Sequence, residues 1–334
     1  MKVVFHCGAP FCLAHGGAQI QIEQTWHALV GRGVEVEPLR WWDASQAGEI
    51  IHNFGRMPIA LVRLAQQKGI RVVMADLLTA QGSRSPGRLL AQKTANIIVR
   101  RLLPGIAGSL AWNAYRMVDA CVALTGHEAH LMAYLFGAPP GRIHVVPNGV
   151  EKEFLGSQPA TRGKWLICTA TITERKRVLE SAEAAVKAGT PLWIIGKPYA
   201  ESDPYAQRFL QLARSYPDVV RFEGPVSDRA ELAKIYRAAR GFVLLSTMES
   251  LSLSALEAAA CECPLLLSDL PWARTTFGNQ ASYCPIATAD RTAESMRWFY
   301  DAAPSLPLPP KPLGWPEVAD QLIVLYERLL STSR

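Results

Sequence analysis

Along most of this chain, short apolar runs alternate with stretches whose apolar residues recur at helical spacing. Val3 to His6, Val34 to Leu39, Glu49 to Asn53, Arg71 to Ala75, Ala120 to Leu124 and Ile143 to Val146 read as buried strands. Ala18 to Val30, Pro58 to Gln67 and His127 to Phe136 read as the helices among them. This alternation predicts a doubly wound sheet. A polar stretch follows Pro147-Asn-Gly-Val150, runs to Arg162 and carries Gly156, Ser157 and Pro159, which reads as a linker. A second alternation then begins, with strands at Trp165 to Thr169, Leu192 to Ile195, Val219 to Phe222, Phe242 to Ser246 and Leu265 to Leu267. Its helices lie near Val178 to Ala188, Tyr205 to Arg214, Ser227 to Ala239 and Ser252 to Ala260. After the Pro-rich passage Pro304 to Pro316, a last helix runs from Glu317 to Leu330. At 334 residues, two α/β domains are expected, 1–152 and 162–315.

Composition narrows the class without fixing the chemistry. Seven scattered cysteines form neither a disulfide framework nor a C-x-x-C zinc pair, so a reducing cytoplasm is the expected setting. No signal-peptide core and no run of about 18 apolar residues is present, which predicts neither export nor a membrane span. The net charge of +6 is local. From Leu77 to Val118 there is no Asp or Glu, while Arg84, Arg88, Lys93, Arg100, Arg101 and Arg116 supply six positive charges. Leu89, Leu90, Ile97, Ile98, Val99, Leu102, Leu103 and Ile106 lie among them. That mixture suits peripheral contact of 84–103 with an anionic membrane, or a basic loop that clasps a phosphate-bearing acceptor or simply stays solvated. No nucleic-acid motif or stacking platform accompanies the bases, so nucleic acid is not an expected partner.

The most informative nine residues are Glu249-Ser-Leu-Ser-Leu-Ser-Ala-Leu-Glu257, where a buried strand feeds a helix. In open α/β sheets, ligands bind beyond the carboxyl ends of the strands, where helix N-termini offer N–H groups to phosphate. Glu249 precedes the helix, and Glu257 lies one and a half turns into it. A carboxylate is a two-oxygen acceptor for vicinal hydroxyls, so two at one mouth suggest two sugars. Taken alone, the pair also reads as service to the helix dipole and to solubility.

Taken with their surroundings, these residues resemble retaining glycosyltransferases of the GT-B fold, specifically glycosyltransferase family 4. The matching stretches are His15-Gly-Gly-Ala18, Val145-Val-Pro-Asn-Gly-Val150, Glu174-Arg-Lys176, Leu192-Trp-Ile-Ile-Gly196, Phe222-Glu-Gly224, the paired glutamates, and Trp315 with the final helix. The resemblance implies two Rossmann-like domains facing across a cleft. The first would be the acceptor side, with helix 317–331 packed back on it, and the second would bind the nucleotide sugar.

By resemblance, Glu257 would hold the ribose and Glu249 the transferred sugar. The N–H groups of Ser250, Leu251 and Ser252 would meet that sugar or the diphosphate. Lys176 would neutralise the departing diphosphate, and Gly16 and Gly17 would let backbone approach it. The base would lie by Gly196, Phe222 and Val226. No Asp-x-Asp pair occurs, which argues against a metal clamp and for catalysis by cations and oriented N–H donors.

Departures from the family pattern leave some roles open. Thr171 stands where an Arg usually partners the lysine, with Arg175 or Arg177 as compensation. Met74-Ala75-Asp76 replaces a frequent His, so Asp76 reads either as an acceptor-side base or as a cap. Ser252 and Glu262 replace frequent glycines. His15 reads as a donor contact or a structural bond, and His127 as a cleft residue or part of a helix cap beside Glu128. Arg84 and Arg88 complete the acceptor-side candidates. Trp41, Trp42 and Trp112 read as packing or as acceptor stacking.

The expected activity is metal-independent retaining transfer from a nucleoside diphosphate sugar, UDP- or GDP-linked, to a glycan or lipid-linked acceptor in surface polysaccharide or glycolipid synthesis. The expected location is the cytoplasm, at the membrane's inner face where contact is made. The alternatives are a catalytically weak relative that binds nucleotide sugars or glycans as a regulatory subunit, and a sugar-nucleotide epimerase.

Overall fold

The computed structural model describes residues 1–8, 10–11, 16–156 and 161–332. They form two compact units, Met1–Asn148 with Trp315–Arg334, and Gly149–Gly314.

The first unit is built on a six-stranded parallel sheet ordered β2-β1-β3-β4-β5-β6. Its strands are β1 (Lys2–Cys7), β2 (Glu35–Pro38), β3 (Ile50–Phe54), β4 (Arg71–Ala75), β5 (Ala120–Ala123) and β6 (Ile143–Val145). Val3, Ile50, Val72 and Val73 are sealed from solvent, as befits continuous apolar runs covered on both faces. β1 pairs with β3 from Val3 opposite Ile50 to Cys7 opposite Phe54. The chain therefore leaves β1 toward β2 and returns to its other side, which makes a topological switch between β1 and β3. The terminal helix Trp315–Ser331 packs against the helix Gly17–Gly31, and its buried Tyr326 hydroxyl meets His52 Nδ1.

The second unit repeats the architecture with the order β12-β11-β10-β7-β8-β9. Here β7 is Leu166–Thr169, β8 Leu192–Ile195, β9 Val220–Phe222, β10 Gly241–Leu244, β11 Leu265–Ser268 and β12 Ser282–Cys284. Its switch lies between β7 and β10. Three elements here were not anticipated: β12 and the helices Pro271–Phe277 and Ala289–Ala302. The expected linker also contains structure. Helix Lys152–Leu155 drives Phe154 into full burial beside the helices Arg229–Ala238 and Leu253–Ala260. Glu262 ends the latter helix in the left-handed region at φ 58, where glycine is usual and another residue costs about 1 kcal/mol.

Candidate functional site

The carboxyl edge of the second sheet gathers the residues that carry chemistry. β7 leads into Ala170–Thr173 and a single tight turn, Glu174–Lys176, before Arg177 reverses the chain at φ 51 into the helix Val178–Ala188. Gly196 follows β8 at φ 153, and a Cβ there would fall 2.0 Å from the Ala170 carbonyl oxygen. Only glycine permits that approach. Gly196 N also donates to Gly224 O at 3.2 Å, so the ends of β7, β8 and β9 are tied together.

From across the switch, the loop after β10 docks onto the tight turn. Thr247 N donates to Arg175 O at 2.8 Å, and Arg175 Nη1 donates to Met248 O at 3.0 Å. Glu249, buried at the end of this loop, accepts from Lys176 Nζ and from Arg175 Nη1, the latter at 3.1 Å. Two cations share one carboxylate, so this corner keeps a net positive charge. Ser250 and Leu251 follow, and Ser252 caps the helix Leu253–Ala260 by accepting from Ala255 N at 3.4 Å. A helix N-terminus beside two cations is an anion site by both charge and dipole.

Glu257 belongs to a second, buried network. Its Oε1 accepts from Arg229 Nη2, and its Oε2 from the Tyr236 hydroxyl at 3.1 Å. Arg229 also forks onto Glu151 through Nε at 2.9 Å and Nη2 at 3.2 Å, and lies 4.7 Å from the Phe154 ring centroid. Burial pushes the Glu257 carboxyl up to about 7; Arg229 pulls against this, and Glu151 adds to it. Each carboxylate oxygen keeps a further lone pair for a hydroxyl donor. Sequence reading missed Arg229, Tyr236 and Glu151. Only Glu151 carried a local signal, directly after Asn148-Gly-Val150. Phe222 and Val226 are half-buried beside Gly224, while Thr171 adjoins Ala170 at the glycine crossing.

The first unit distributes its candidates differently. His15 lies outside the described residues. Gly16, at φ 142, is the N-cap of the helix that Gly17 begins, a conformation that requires glycine. Asp76 Oδ2 accepts from Arg56 Nε and Nη2, both at 3.1 Å, and from the Tyr115 hydroxyl. Arg56 stands 5.2 and 4.9 Å from the ring centroids of Tyr115 and Phe136, so Asp76 anchors a guanidinium at the end of β4. Thr125 caps the helix Gly126–Phe136 by accepting from Glu128 N at 3.1 Å. The buried Glu128 carboxylate accepts from Leu78 N at 2.6 Å and Leu124 N at 2.8 Å, tying two loops together. Burial lowers the neighbouring His127 imidazole, with a bond to the Gly82 backbone acting against it. Arg84 donates to Gln92, and Arg88 is exposed.

The chain is similar to known glycosyltransferases. A family profile described as glycosyl transferases group 1 matches residues 163–302. D-inositol 3-phosphate glycosyltransferase of Kineococcus radiotolerans is 31% identical over 179 residues, 47% of this chain and 41% of that protein. The corresponding protein 1 of Catenulispora acidiphila is 27% identical over 298 residues, 75% of this chain and 69% of that one. The chain thus spans about half the length of the first curated relatives it matches, 41% and 56%. Among solved structures, sucrose-phosphate synthase from Thermosynechococcus elongatus superposes with a TM-score of 0.68 at 18% identity, over 99% of this chain and 100% of that one. HepE from Anabaena in complex with UDP-glucose does so at 0.64 and 13% identity, over 98% and 100%. At these identities the superpositions establish the fold, two Rossmann-like units of the GT-B type. The chain is thus similar to the group 1 glycosyltransferases over residues 163–302, and it has the GT-B fold.

Proposed function

We propose that this chain is a metal-independent retaining glycosyltransferase, moving a sugar from a nucleoside diphosphate sugar to a glycan or lipid-linked acceptor. The observation that carries the reading is the Arg175–Lys176–Glu249 corner beside the helix N-terminus at the second unit's switch. In this reading the C1–O bond to the β-phosphate breaks while the acceptor oxygen bonds to C1 from the same face. The acceptor's proton passes to the departing phosphate oxygen. Lys176, Arg175 and the N–H groups of the helix start stabilise the growing charge. Glu249 orients the sugar, and Glu257 receives the ribose. Arg175 supplies the second cation whose usual place Thr171 occupies, which favours an active enzyme over a regulatory binder.

HepE is described in complex with UDP-glucose, and the Kineococcus and Catenulispora relatives are named for D-inositol 3-phosphate. UDP is therefore the first donor base to try and GDP the second. Surface polysaccharide or glycolipid synthesis on the cytoplasmic side is the setting proposed. Donor-dependent release of nucleoside diphosphate, measured with and without EDTA, tests the activity. Undiminished release in EDTA is expected, and complete dependence on an added metal would overturn metal independence.

A membrane partner is proposed through 84–103, on one observation. The helix Pro86–Leu102 is amphipathic with its polarity reversed. Asn96 Nδ2 donates to Leu135 O at 3.0 Å, Arg100 Nη2 to Phe136 O at 2.7 Å, and Lys93 sits 4.0 Å from the Tyr134 ring centroid, all turned toward the protein. Leu90, Ile97, Ile98 and Leu102 face solvent, with Leu102 73% exposed. The bases expected to read the membrane are therefore partly structural, and Arg88 and Arg101 remain exposed beside the apolar stripe. An apolar face rimmed by positive charge suits an anionic bilayer better than a second, equally basic copy. Ile97→Glu with Ile98→Glu is expected to abolish sedimentation with vesicles containing phosphatidylglycerol. Retained sedimentation of that variant would refute the contact.

A further inference from the structure

At the carboxyl end of β1, within the first unit, lies a cavity of about 480 Å³ whose lining includes none of the residues proposed to bind the donor. That volume falls in the usual range for small-molecule sites, roughly 300–1,000 Å³. Five aromatic rings line it: Phe5, Phe11, Trp26, Trp41 and Phe54. The inner rings are fixed by one another, with Phe5 edge-on to Phe54 at 4.9 Å and to Trp26 at 6.1 Å between centroids. His6, whose Nδ1 pairs with Asn53 Oδ1, meets Trp41 edge-on at 5.4 Å.

Trp41 is the unexpected member, being 63% exposed. Leaving an indole in water forgoes its burial energy, yet the loop that presents it is built rather than slack. Gln46 Oε1 accepts from Arg40 N at 2.7 Å, and Gln46 Nε2 donates to Pro38 O at 2.9 Å, bracketing Trp41 from both sides. Asp43 accepts from Arg40 Nε at 2.8 Å and from Ser45 N at 2.9 Å, closing the turn beyond it. Packing therefore does not account for Trp41. A held, exposed indole at the mouth of an aromatic cavity is arranged for a ligand.

The chemistry of the walls selects the class. Polar side chains are few: His6, already bonded to Asn53; Glu23, which accepts from Gln19 Nε2 at 2.8 Å; and His27. A bare sugar ring would bring hydroxyls on every edge and leave several unpaired against such walls. A flat apolar group would leave none. We propose that this cavity binds a π-rich apolar aglycone of the acceptor, with Trp41 stacking on it as a specificity-determining residue. The inference rests on the transferase reading for the word acceptor, while the binding itself does not.

The test uses the full chain without nucleotide, so it stands apart from donor chemistry. Tryptophan fluorescence is titrated with para-nitrophenyl α-glucoside and with methyl α-glucoside, which differ only in the aglycone. The aryl glycoside is expected to bind about ten-fold more tightly, the advantage of one good aromatic stack. Trp41→Ala should erase that preference, and Trp42→Ala, 99% exposed and outside the cavity, should keep it. Thermal melting of both variants checks that they fold. Equal affinity for the two glycosides in the native chain, or an aryl preference that survives Trp41→Ala, overturns the proposal.

Discussion

Lys176→Ala is expected to lower donor turnover by roughly 10²-fold or more, because it removes one of the two cations proposed to stabilise the leaving group. In the structure Lys176 pairs with Glu249, and only Arg175 would remain to share that buried carboxylate. A binding role alone would weaken the donor's ground state and transition state alike and raise KM. A role in departure is needed only as the bond breaks, so kcat should fall with it. Unchanged kcat in a folded Lys176→Ala protein would remove Lys176 from the catalytic group and leave Arg175 as the phosphate cation.

Arg229→Met is expected to destabilise the fold by about 1–1.5 kcal/mol more at pH 8 than at pH 5, because a carboxyl held at about 7 takes up a proton once its buried partner is stripped. Glu257 is 4% exposed and, among the described residues, keeps the Tyr236 hydroxyl when Arg229 is gone. The sign of the pH dependence follows from its carboxyl, which burial holds at about 7 in the folded chain against an ordinary 4.5. The folded state then binds the proton more tightly than the unfolded one. Stability from this group is complete below about 4.5 and is lost as pH rises through about 7. The loss in Arg229→Met should accordingly be smaller at pH 5, where Glu257 is neutral, and Glu257→Gln in the same chain should remove that difference between pH 5 and pH 8. A loss equal at both pH values and unaffected by Glu257→Gln would show that Arg229 acts through Glu151 and Phe154 packing instead.

The contacts of Lys176 and Arg229 were legible in the sequence to different degrees. The strands were readable because parallel strands buried on both faces are unbroken apolar runs, and all but β12 of the twelve were placed to within two residues. β12 is only Ser282–Cys284, too short and too polar to register as such a run. Helix Ala289–Ala302 was missed because Asp290, Arg291, Glu294 and Arg297 dominate its composition, although it packs closely on Val178–Ala188. The Glu249 and Glu257 pair was visible because strand, loop and helix are contiguous there. Arg229 was not, since its partners Glu257 and Glu151 lie 28 and 78 residues away and only folding brings them together. The reversed helix Pro86–Leu102 carries a further lesson. Apolar spacing predicts that a helix is amphipathic, but which face is covered depends on what its polar residues find, here the carbonyls of Leu135 and Phe136.

The claim on which all of this turns is that the second unit binds a nucleoside diphosphate sugar at the edge where Lys176, Glu249 and Glu257 meet the helix start. Thermal melting of the purified chain with UDP-, GDP-, ADP-, CMP- and dTDP-sugars, with Glu257→Ala alongside, tests it most directly. A ligand that binds only the folded state stabilises it by about 2.7 kcal/mol at a hundred times its Kd. The account predicts a rise in melting temperature with one nucleotide class, UDP foremost, that disappears in Glu257→Ala. No rise with any donor, or a rise that persists undiminished in Glu257→Ala, would contradict it.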